Sequence, residues 1–373
     1  MITMNILLVG EFSSVHHNLK AGLLELGHQV TVVSSGDGWK NVAADIQIPS
    51  TRDPVTGRRS VRALIRKIAV ELKLAFTLRD YDVVQFVNPL IFTNLFGINQ
   101  FVIRRLMRNN HRSFLLAAGD DCFYWQDYTS RFRYSTHRAE VGLVDSYKIW
   151  LKESTIRWNR YLAQHVNGVI PIMYEYQSGY VGQPTLCPVI PIPIAISDSW
   201  VPLQVHDKVQ VYFPGNNQRA AFKGNEFILP ALEKLQRLMP DTVEVKITDR
   251  ISFTELLHNI DNAHIVIDQT NAYSYGVSGA LVLSRGRILL SGAEPESLAA
   301  FGINQSPVVN IKPDSEHIFE TICDLVRRKS ELAAIGQSSR DYALEMHQQQ
   351  RVASKFVAQW TSAKTSELPY ASV

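Results

Sequence analysis

Short apolar runs alternate along the first half of the chain with longer segments whose apolar residues recur at helical spacing. The apolar runs predict strands at 5–9, 29–33, 83–86, 113–117 and 168–171. The segments between them predict helices at 20–26, 62–78 and 98–107, and over a long stretch that contains Tyr147, Trp150, Ile156 and Tyr161. Strands that alternate with helices in this way predict a parallel sheet built from right-handed crossovers.

The same alternation restarts after residues 188–193, whose prolines favour an extended connector. Beyond the connector, the pattern predicts strands at 209–213, 243–247, 265–268 and 288–290, and helices at 227–238 and 253–260. We therefore predict an α/β fold with two Rossmann-like domains, whose parallel sheets face each other across a cleft.

Composition agrees with two ordinary globular domains. The chain has 373 residues, of which 46% are apolar and 20% are charged, enough for two cores and too apolar for a disordered protein. No apolar run approaches the roughly 18 residues of a membrane span, and Met1 leads directly into the first strand without a signal-type segment. Cys122, Cys187 and Cys323 lie far apart in the sequence and form no CxxC motif. We therefore predict a cytoplasmic protein in which the cysteines are packing residues.

A candidate phosphate site lies between the last two predicted strands. The strand that ends at Asp268 leads into a polar loop, which passes through Tyr275 and Gly276 into a short helix that Gly286 ends. A helix that follows such a loop presents free backbone N–H groups at its N-terminus, where a phosphate can bind. The candidate contacts are Tyr275, Gly276, Val277 and Ser278.

The loop after the strand at 209–213 offers fixed positive charge for a diphosphate. It holds Gly215, Asn217, Arg219 and Lys223, and it lies at the carboxyl end of a strand, where ligands of open α/β sheets bind. Arg219 and Lys223 would clamp the diphosphate and stabilise it as a leaving group. Taken alone, the loop is more typical of a solvated basic loop, but the neighbouring helix N-terminus favours phosphate binding.

The loop after the first strand argues against a dinucleotide-dependent dehydrogenase. Such enzymes need closely spaced glycines after that strand, whereas this loop has Gly10 alone, followed by two bulky histidines. The loop is better suited to a polar acceptor, with Ser14, His16 and His17 as candidate contacts. A histidine at an ordinary surface position is the alternative for either one.

Asp120 and Asp121 are candidate catalytic residues in the N-terminal half, because they follow a predicted strand and would face the cleft. Either carboxylate could orient an acceptor hydroxyl. An aspartate after a strand is as often a helix or turn cap. Aromatic residues follow closely and would either stack on sugar rings or pack in the core: Tyr124, Trp125, Tyr128, Phe132 and Tyr134.

Taken together, these motifs resemble those of GT-B glycosyltransferases of the retaining family 4 type, in particular a bacterial branch found in surface-polysaccharide loci. The matching positions extend over nearly the whole chain: Gly119-Asp120-Asp121, Gly215 with Arg219 and Lys223-Gly224, Asp268 to Asn271, Tyr275-Gly276, Gly286, and Glu294-Pro295-Glu296. The resemblance implies an acceptor domain at 1–195, a nucleotide-sugar donor domain at 196–340, and a C-terminal helix within 341–373 that crosses back to the first domain.

The resemblance also implies a function. It predicts transfer of a hexose-type sugar from a nucleotide-diphosphate sugar to a glycan or lipid-linked acceptor, without a metal and without a cofactor beyond the donor itself. One departure bears on activity: the family's paired glutamates would fall at Tyr273 and Leu281, and Leu281 cannot bind a ribose hydroxyl. Either Glu294 takes over hydroxyl recognition and belongs to the donor site, or the chain is a degenerate relative that acts as a binding or scaffolding subunit.

The segment from Arg52 to Arg112 is locally basic, with twelve Lys or Arg residues and four Asp or Glu residues in a chain of net charge +3. No recognised nucleic-acid-binding module accompanies this charge, so nucleic acid is not an expected partner. An anionic membrane surface, where lipid-linked acceptors lie, is the favoured partner and predicts a peripheral position at the inner face of the membrane. A solvated surface is the alternative.

Overall fold

A computed structural model describes residues 3–37, 42–52, 58–135, 148–205, 207–215, 220–249 and 251–363. Its first half forms a parallel sheet in which the strands follow the order β3-β2-β1-β4-β5-β6. The strands are β1 (Asn5–Val9), β2 (Gln29–Ser34), β3 (Ile46–Gln47), β4 (Val83–Phe86), β5 (Arg112–Ala117) and β6 (Gly168–Pro171). The central strands β1, β4 and β5 are largely buried on both faces, which explains why they are predominantly apolar.

Helices cover both faces of this sheet. They are α1 (Val15–Glu25), α2 (Val61–Thr77), α3 (Ile98–Asn109), α4 (Cys122–Arg131), α5 (Glu153–His165) and α6 (Tyr174–Gly179). Two elements differ from their predictions: α1 begins at Val15 rather than at residue 20, and α5 begins at Glu153, so Trp150 precedes this helix, while Tyr147 lies outside the described residues. The buried Glu11 carboxylate accepts hydrogen bonds from the backbone N–H groups of His16 and His17, and these bonds satisfy two donors of the first helical turn.

The second half repeats the architecture, with a parallel sheet in the order β11-β10-β9-β7-β8. Its strands are β7 (Val209–Pro214), β8 (Val243–Thr248), β9 (Ile265–Ile267), β10 (Ile288–Ser291) and β11 (Val309–Asn310). Its helices are α7 (Ala220–Lys223), α8 (Asn225–Leu238), α9 (Phe253–Asn262), α10 (Val277–Ser284), α11 (Pro295–Ala300), α12 (Ser315–Arg327) and α13 (Leu332–Met346). Two parallel-sheet α/β domains are therefore present, as the alternation of apolar patterns predicts.

The last described helix, α14 (Gln349–Ser362), lies on the N-terminal domain, where it packs along α1. Gly22 allows the close approach, because a Cβ at this position would lie 2.2 Å from the Gln349 carbonyl oxygen. Trp360 is fully buried, and its indole N–H donates to Gln85 of β4 at 3.2 Å. Arg112 of β5 donates to the Trp360 carbonyl at 2.6 Å. The chain thus crosses between the domains twice.

The two crossing segments lie side by side. The Ile194 backbone N–H donates to the His347 carbonyl at 2.7 Å, and the Gln349 N–H donates to the Ile194 carbonyl at 3.1 Å. The His347 ring bridges the same region: Nδ1 lies 2.8 Å from the Ile192 carbonyl, and Nε2 lies 2.8 Å from the Tyr275 hydroxyl. His347 therefore joins the connector, the final crossing and the loop before α10.

His347→Gln should remove part of the acid sensitivity of the fold. Burial lowers the pKa of His347 from 6.5 to about 4. Between these values the unfolded chain binds a proton that the folded chain does not, so stability falls as the pH falls through this window. At about 1.4 kcal/mol per pKa unit, the free energy of unfolding of the wild type should fall by roughly 3 kcal/mol more than that of the variant between pH 6.5 and 4. Urea unfolding at several pH values measures this slope. If the slope of the unfolding free energy against pH is the same in His347→Gln and in the wild type, His347 is not a source of the acid sensitivity. His258→Gln, at an exposed position, serves as the control.

Candidate functional site

A cleft of about 410 Å³ lies between the two domains at the carboxyl edges of both sheets. The N-terminal domain contributes residues from the loops after β1 and β5 and from the segment around α6, including Phe12, Ser13, Asp120, Tyr124 and Glu175. The C-terminal domain contributes Phe222, Lys223, Asp268, Gln269, Ala272, Gly276, Val277 and Ser278. The cleft is therefore lined by residues of both domains, as expected for a site that brings two substrates together.

The C-terminal wall of the cleft combines a helix N-terminus with a lysine. Gly276 precedes α10, and Val277 and Ser278 form its first turn beside the cleft. Lys223 ends α7, and its Nζ lies 2.5 Å from a carboxylate oxygen of Asp268, which follows β9. The Thr270 backbone N–H donates to the Lys223 carbonyl at 3.0 Å. The structure thus brings together Lys223 and three of the four predicted contacts at the start of α10.

The cleft carries more acidic than basic side chains. Among the described lining residues, Asp37, Asp120, Glu175 and Asp268 are acidic, and Lys223 is basic. A diphosphate that enters this cleft competes with Asp268 for the Lys223 ammonium group. Asn217 and Arg219, which are also predicted donor contacts, lie outside the described residues.

The two neighbouring aspartates differ in environment. Asp120 lines the cleft, and its carbonyl accepts a hydrogen bond from the Asn88 side chain at 2.9 Å. Asp121 is buried at the start of α4, where it accepts from the Tyr124 N–H at 2.8 Å and from the Tyr180 hydroxyl at 2.7 Å. Burial raises the pKa of Asp121 to about 6. Asp121 is therefore a helix cap, the alternative considered from the sequence, whereas Asp120 lines the cleft.

The predicted acceptor contacts at the start of α1 lie mostly outside the cleft lining. His16 is fully buried; its Nδ1 lies 2.8 Å from the Gly10 carbonyl and its Nε2 lies 3.1 Å from the Gln85 amide. Burial lowers the pKa of His16 to about 4, which keeps the ring neutral. The expectation that His16 binds acceptor is wrong in this geometry, because α1 begins earlier than predicted and turns the ring into the core. His17 is exposed and Ser14 is the N-cap of α1, whereas Ser13 and Phe12 line the cleft.

Glu175 is a residue of the cleft that sequence reasoning missed. It lies on α6 of the N-terminal domain, is 5% exposed, and reaches across to the loop of the C-terminal domain that precedes α10. Its carboxylate accepts from the backbone N–H groups of Tyr273 and Ser274 at 2.9 and 2.8 Å, and from the Ser274 hydroxyl at 2.7 Å. Burial raises its pKa despite these bonds. Glu175 therefore holds the loop that presents the helix N-terminus.

A second contact between the domains engages Glu294, which was predicted to bind the donor. Its carboxylate accepts from Arg133 at 2.6 Å, from Asn310 at 2.8 Å and from the Tyr134 hydroxyl. Burial opposes ionisation of Glu294, but these three hydrogen bonds outweigh it and lower the pKa. The carboxylate faces the N-terminal domain, and Glu294 is not among the described residues that line the cleft. The reason is that Glu294 precedes α11, beside the segment that carries Arg133.

Aromatic rings complete this second contact. Tyr273, where the resembled family has its first glutamate, stacks on Tyr174 with ring centroids 5.8 Å apart and meets Phe132 and Tyr134 at 5.2 Å. The Tyr273 hydroxyl accepts from the Arg133 backbone N–H at 2.8 Å, and the Arg133 guanidinium lies over the Tyr273 ring. Phe132 and Tyr134 therefore serve the domain interface, while Tyr124 lines the cleft.

Three further positions serve the fold rather than the cleft surface. The Tyr275 hydroxyl is buried against Tyr342 and His347, so its side chain points away from the predicted phosphate position. Gly215 lies at the end of β7, where a Cβ would lie 3.0 Å from the Thr248 carbonyl oxygen. Leu281 is half-buried and packs against the core that the connector shares with α10, the structural role that its apolar character indicates.

No group of three or more His, Cys, Asp or Glu residues in the described ranges is arranged to hold a metal ion. None of the described helices is long and apolar enough to cross a lipid bilayer.

No protein-family model and no curated protein sequence matches this chain. Solved structures do match it. Sucrose-phosphate synthase from Thermosynechococcus elongatus superposes with a TM-score of 0.61 at 11% identity, over 96% of this chain and 98% of that one. Anabaena HepE in complex with UDP-glucose gives 0.57 at 12% identity, over 96% and 100%. A glycosyltransferase from Rickettsia africae gives 0.55 at 11% identity, over 97% and 99%.

The chain has the GT-B fold. The predicted fold class, two Rossmann-like domains with parallel sheets across a cleft, is thus confirmed. At such low identity the likeness extends to the fold alone, and function has to be argued from the side chains of the cleft.

Proposed function

We propose that this chain is a glycosyltransferase that moves a hexose-type sugar from a nucleotide-diphosphate sugar to a glycan or lipid-linked acceptor in surface-polysaccharide biosynthesis. The reaction breaks the bond between the anomeric carbon and the diphosphate, and forms a bond from that carbon to an acceptor hydroxyl oxygen, which loses its proton. The proposal includes retention of the anomeric configuration and no requirement for a metal.

One observation carries the proposal: a helix N-terminus and Lys223 on one wall of the cleft face Asp120 on the other. The N–H groups at the start of α10 and the Lys223 ammonium group suit an anionic leaving group, because negative charge develops on the diphosphate as the bond breaks. Asp120 is suited to orient the attacking hydroxyl. The fold shared with HepE, whose structure contains UDP-glucose, supports a nucleotide sugar as the donor.

A binding or scaffolding subunit without transferase activity is the second candidate. Two observations favour it: Lys223 is paired with Asp268, and the Glu294 carboxylate is engaged by Arg133, Tyr134 and Asn310. In addition, Leu281 offers no hydrogen bond to a ribose. Such a subunit would keep the two-domain cleft and bind a glycan or a partner enzyme without turnover.

Calorimetric binding and hydrolysis assays with a panel of UDP and GDP sugars distinguish the two candidates. The transferase hypothesis predicts saturable binding of at least one donor, slow hydrolysis of it, and faster turnover once an acceptor glycan is added. Absence of binding across the panel, with the fold intact by circular dichroism, would exclude the transferase.

Lys223→Ala should weaken the binding of a nucleoside diphosphate by roughly 1.5–3 kcal/mol, the range for hydrogen bonds to charged groups. The matched control is Lys234→Ala in the same domain, because Lys234 also pairs with a carboxylate, that of Glu316, but lies on α8 outside the cleft. Calorimetric titration with UDP and GDP measures both variants. Equal affinity of Lys223→Ala and wild type would remove Lys223 from the donor site.

A further inference from the structure

The N-terminal domain carries exposed apolar side chains that no neighbouring element of the described chain covers. Phe96 is 98% exposed, and Leu95 beside it is 46% exposed, on the loop between β4 and α3. Phe96 has a positive φ of 51°, a conformation that bulky residues rarely adopt. A large aromatic side chain that is exposed to solvent in an unfavourable backbone conformation does not stabilise the fold.

The same surface continues onto α2 and α3, which pack side by side. Phe101 near the start of α3 and Phe76 near the end of α2 are both about half exposed, and their rings lie 6.1 Å apart. The buried Glu71 carboxylate of α2 accepts from the Thr93 N–H at 3.1 Å, which ties the exposed loop to this helix. The Leu95–Phe96 loop, α2 and α3 are therefore neighbours on the N-terminal domain.

Basic residues are interleaved with these apolar groups. Along α2 the exposed positions recur at helical spacing and form one face, which consists of Arg62, Ile65, Arg66, Ala69, Lys73 and Phe76. The helices α2 and α3 together carry seven Lys or Arg residues and one acidic residue, the buried Glu71, which pairs with Lys67 at 3.7 Å. The outward charge of this face is therefore positive.

We propose that this face of α2, α3 and the Leu95–Phe96 loop docks the protein on an anionic lipid bilayer. Aromatic and aliphatic side chains enter the interface, and interleaved Arg and Lys side chains meet the anionic headgroups, which is the chemistry of interfacial membrane binding. Charge complementarity selects an anionic bilayer over a neutral one, and over a second copy of this basic surface.

Docking in this way places the cleft close to the bilayer. The loop after β4 lies at the carboxyl edge of the sheet, and Asn88 in that loop donates to the carbonyl of Asp120, a cleft residue, at 2.9 Å. An acceptor embedded in the bilayer would thus approach the Asp120 side of the cleft. The docking proposal itself does not depend on the proposed transfer reaction, because lipid binding is measured without donor or acceptor.

Vesicle cosedimentation of the full chain tests the proposal, with phosphatidylglycerol–phosphatidylcholine vesicles compared with phosphatidylcholine alone. The wild type should bind the anionic vesicles, and added salt should weaken binding. The double variant Leu95→Ser/Phe96→Ser should reduce affinity about tenfold or more. Arg62→Glu/Arg66→Glu should reduce it roughly 30-fold or more, about a factor of five for each lost basic residue.

Matched controls lie on the C-terminal domain. Phe253→Ser removes a side chain that is 63% exposed, and Arg237→Glu/Arg327→Glu reverses two exposed charges; both should bind vesicles as the wild type does. Equal sedimentation with both vesicle types, or equal losses in the controls, would overturn the proposal. Self-association of the wild type that disappears in Leu95→Ser/Phe96→Ser would also overturn it, since the face would then bind a second copy.

Discussion

Replacing Glu175 with Ala should destabilise the folded chain by roughly 3–5 kcal/mol, because it leaves two buried backbone N–H groups and a hydroxyl without their acceptor. The buried carboxylate accepts three hydrogen bonds from Tyr273 and Ser274, and each donor left unpaired costs about 1–3 kcal/mol. Because these donors belong to the loop that precedes α10, nucleotide binding should weaken as well. Urea unfolding and calorimetric titration with UDP measure the two effects.

Glu175→Gln is the matched variant for this experiment. The amide retains the size of the side chain and one acceptor oxygen, which lies within reach of the two backbone N–H groups, whereas the Ser274 hydroxyl can rotate to accept from the new NH₂ group. The loss of stability should therefore be smaller than for Ala. If Glu175→Ala unfolds at the same urea concentration as the wild type, the carboxylate does not hold this loop.

The two sheets could be predicted because the central strands are largely buried on both faces and are predominantly apolar, even where a polar residue such as Gln85 of β4 interrupts the run. The N-terminus of α10 could be predicted because Gly276 separates a polar loop from an apolar helix within a few residues. Such signals are local, and local patterns determine most of the architecture. The start of α1 was misplaced because its cap is the buried carboxylate of Glu11, several residues upstream, and not a standard N-cap side chain.

The interdomain contacts could not be predicted, because their partners are distant in sequence. Glu175 binds a loop 98 residues away, and Arg133 binds Glu294 161 residues away. Glu175 follows a strand end, a position where functional carboxylates are common, but no local pattern indicates that it turns toward the other domain. Similarly, the position of Glu294 is evident in the sequence, whereas the direction of its carboxylate depends on Arg133 and Tyr134.

Glu294→Ala should destabilise the chain by about 2–4 kcal/mol, less than the full range for a buried charged contact because Arg133 is half exposed and regains water. Arg133→Ala is the matched control, since it breaks the same contact between domains and leaves the carboxylate in place. If Glu294 acts through this contact, both variants should lose donor turnover to a similar degree. Loss of donor binding in Glu294→Ala alone would show instead that the carboxylate moves to contact the donor.

Leu281→Glu decides whether the chain has lost the reaction. Leu281 packs against the core and is not among the described residues that line the cleft, so the glutamate strengthens donor binding only if its longer side chain extends from α10 to the donor. Each ribose hydroxyl that it then pairs is worth about 1–3 kcal/mol of donor binding. An active transferase should bind and hydrolyse donor in the wild type, and Leu281→Glu should bind it about tenfold more tightly. Leu281→Met, which has a side chain of similar length without an oxygen acceptor, controls for the disturbance of a half-buried position that packs against the core. If the wild type binds no donor and Leu281→Glu does, the protein keeps the GT-B cleft but has lost the reaction.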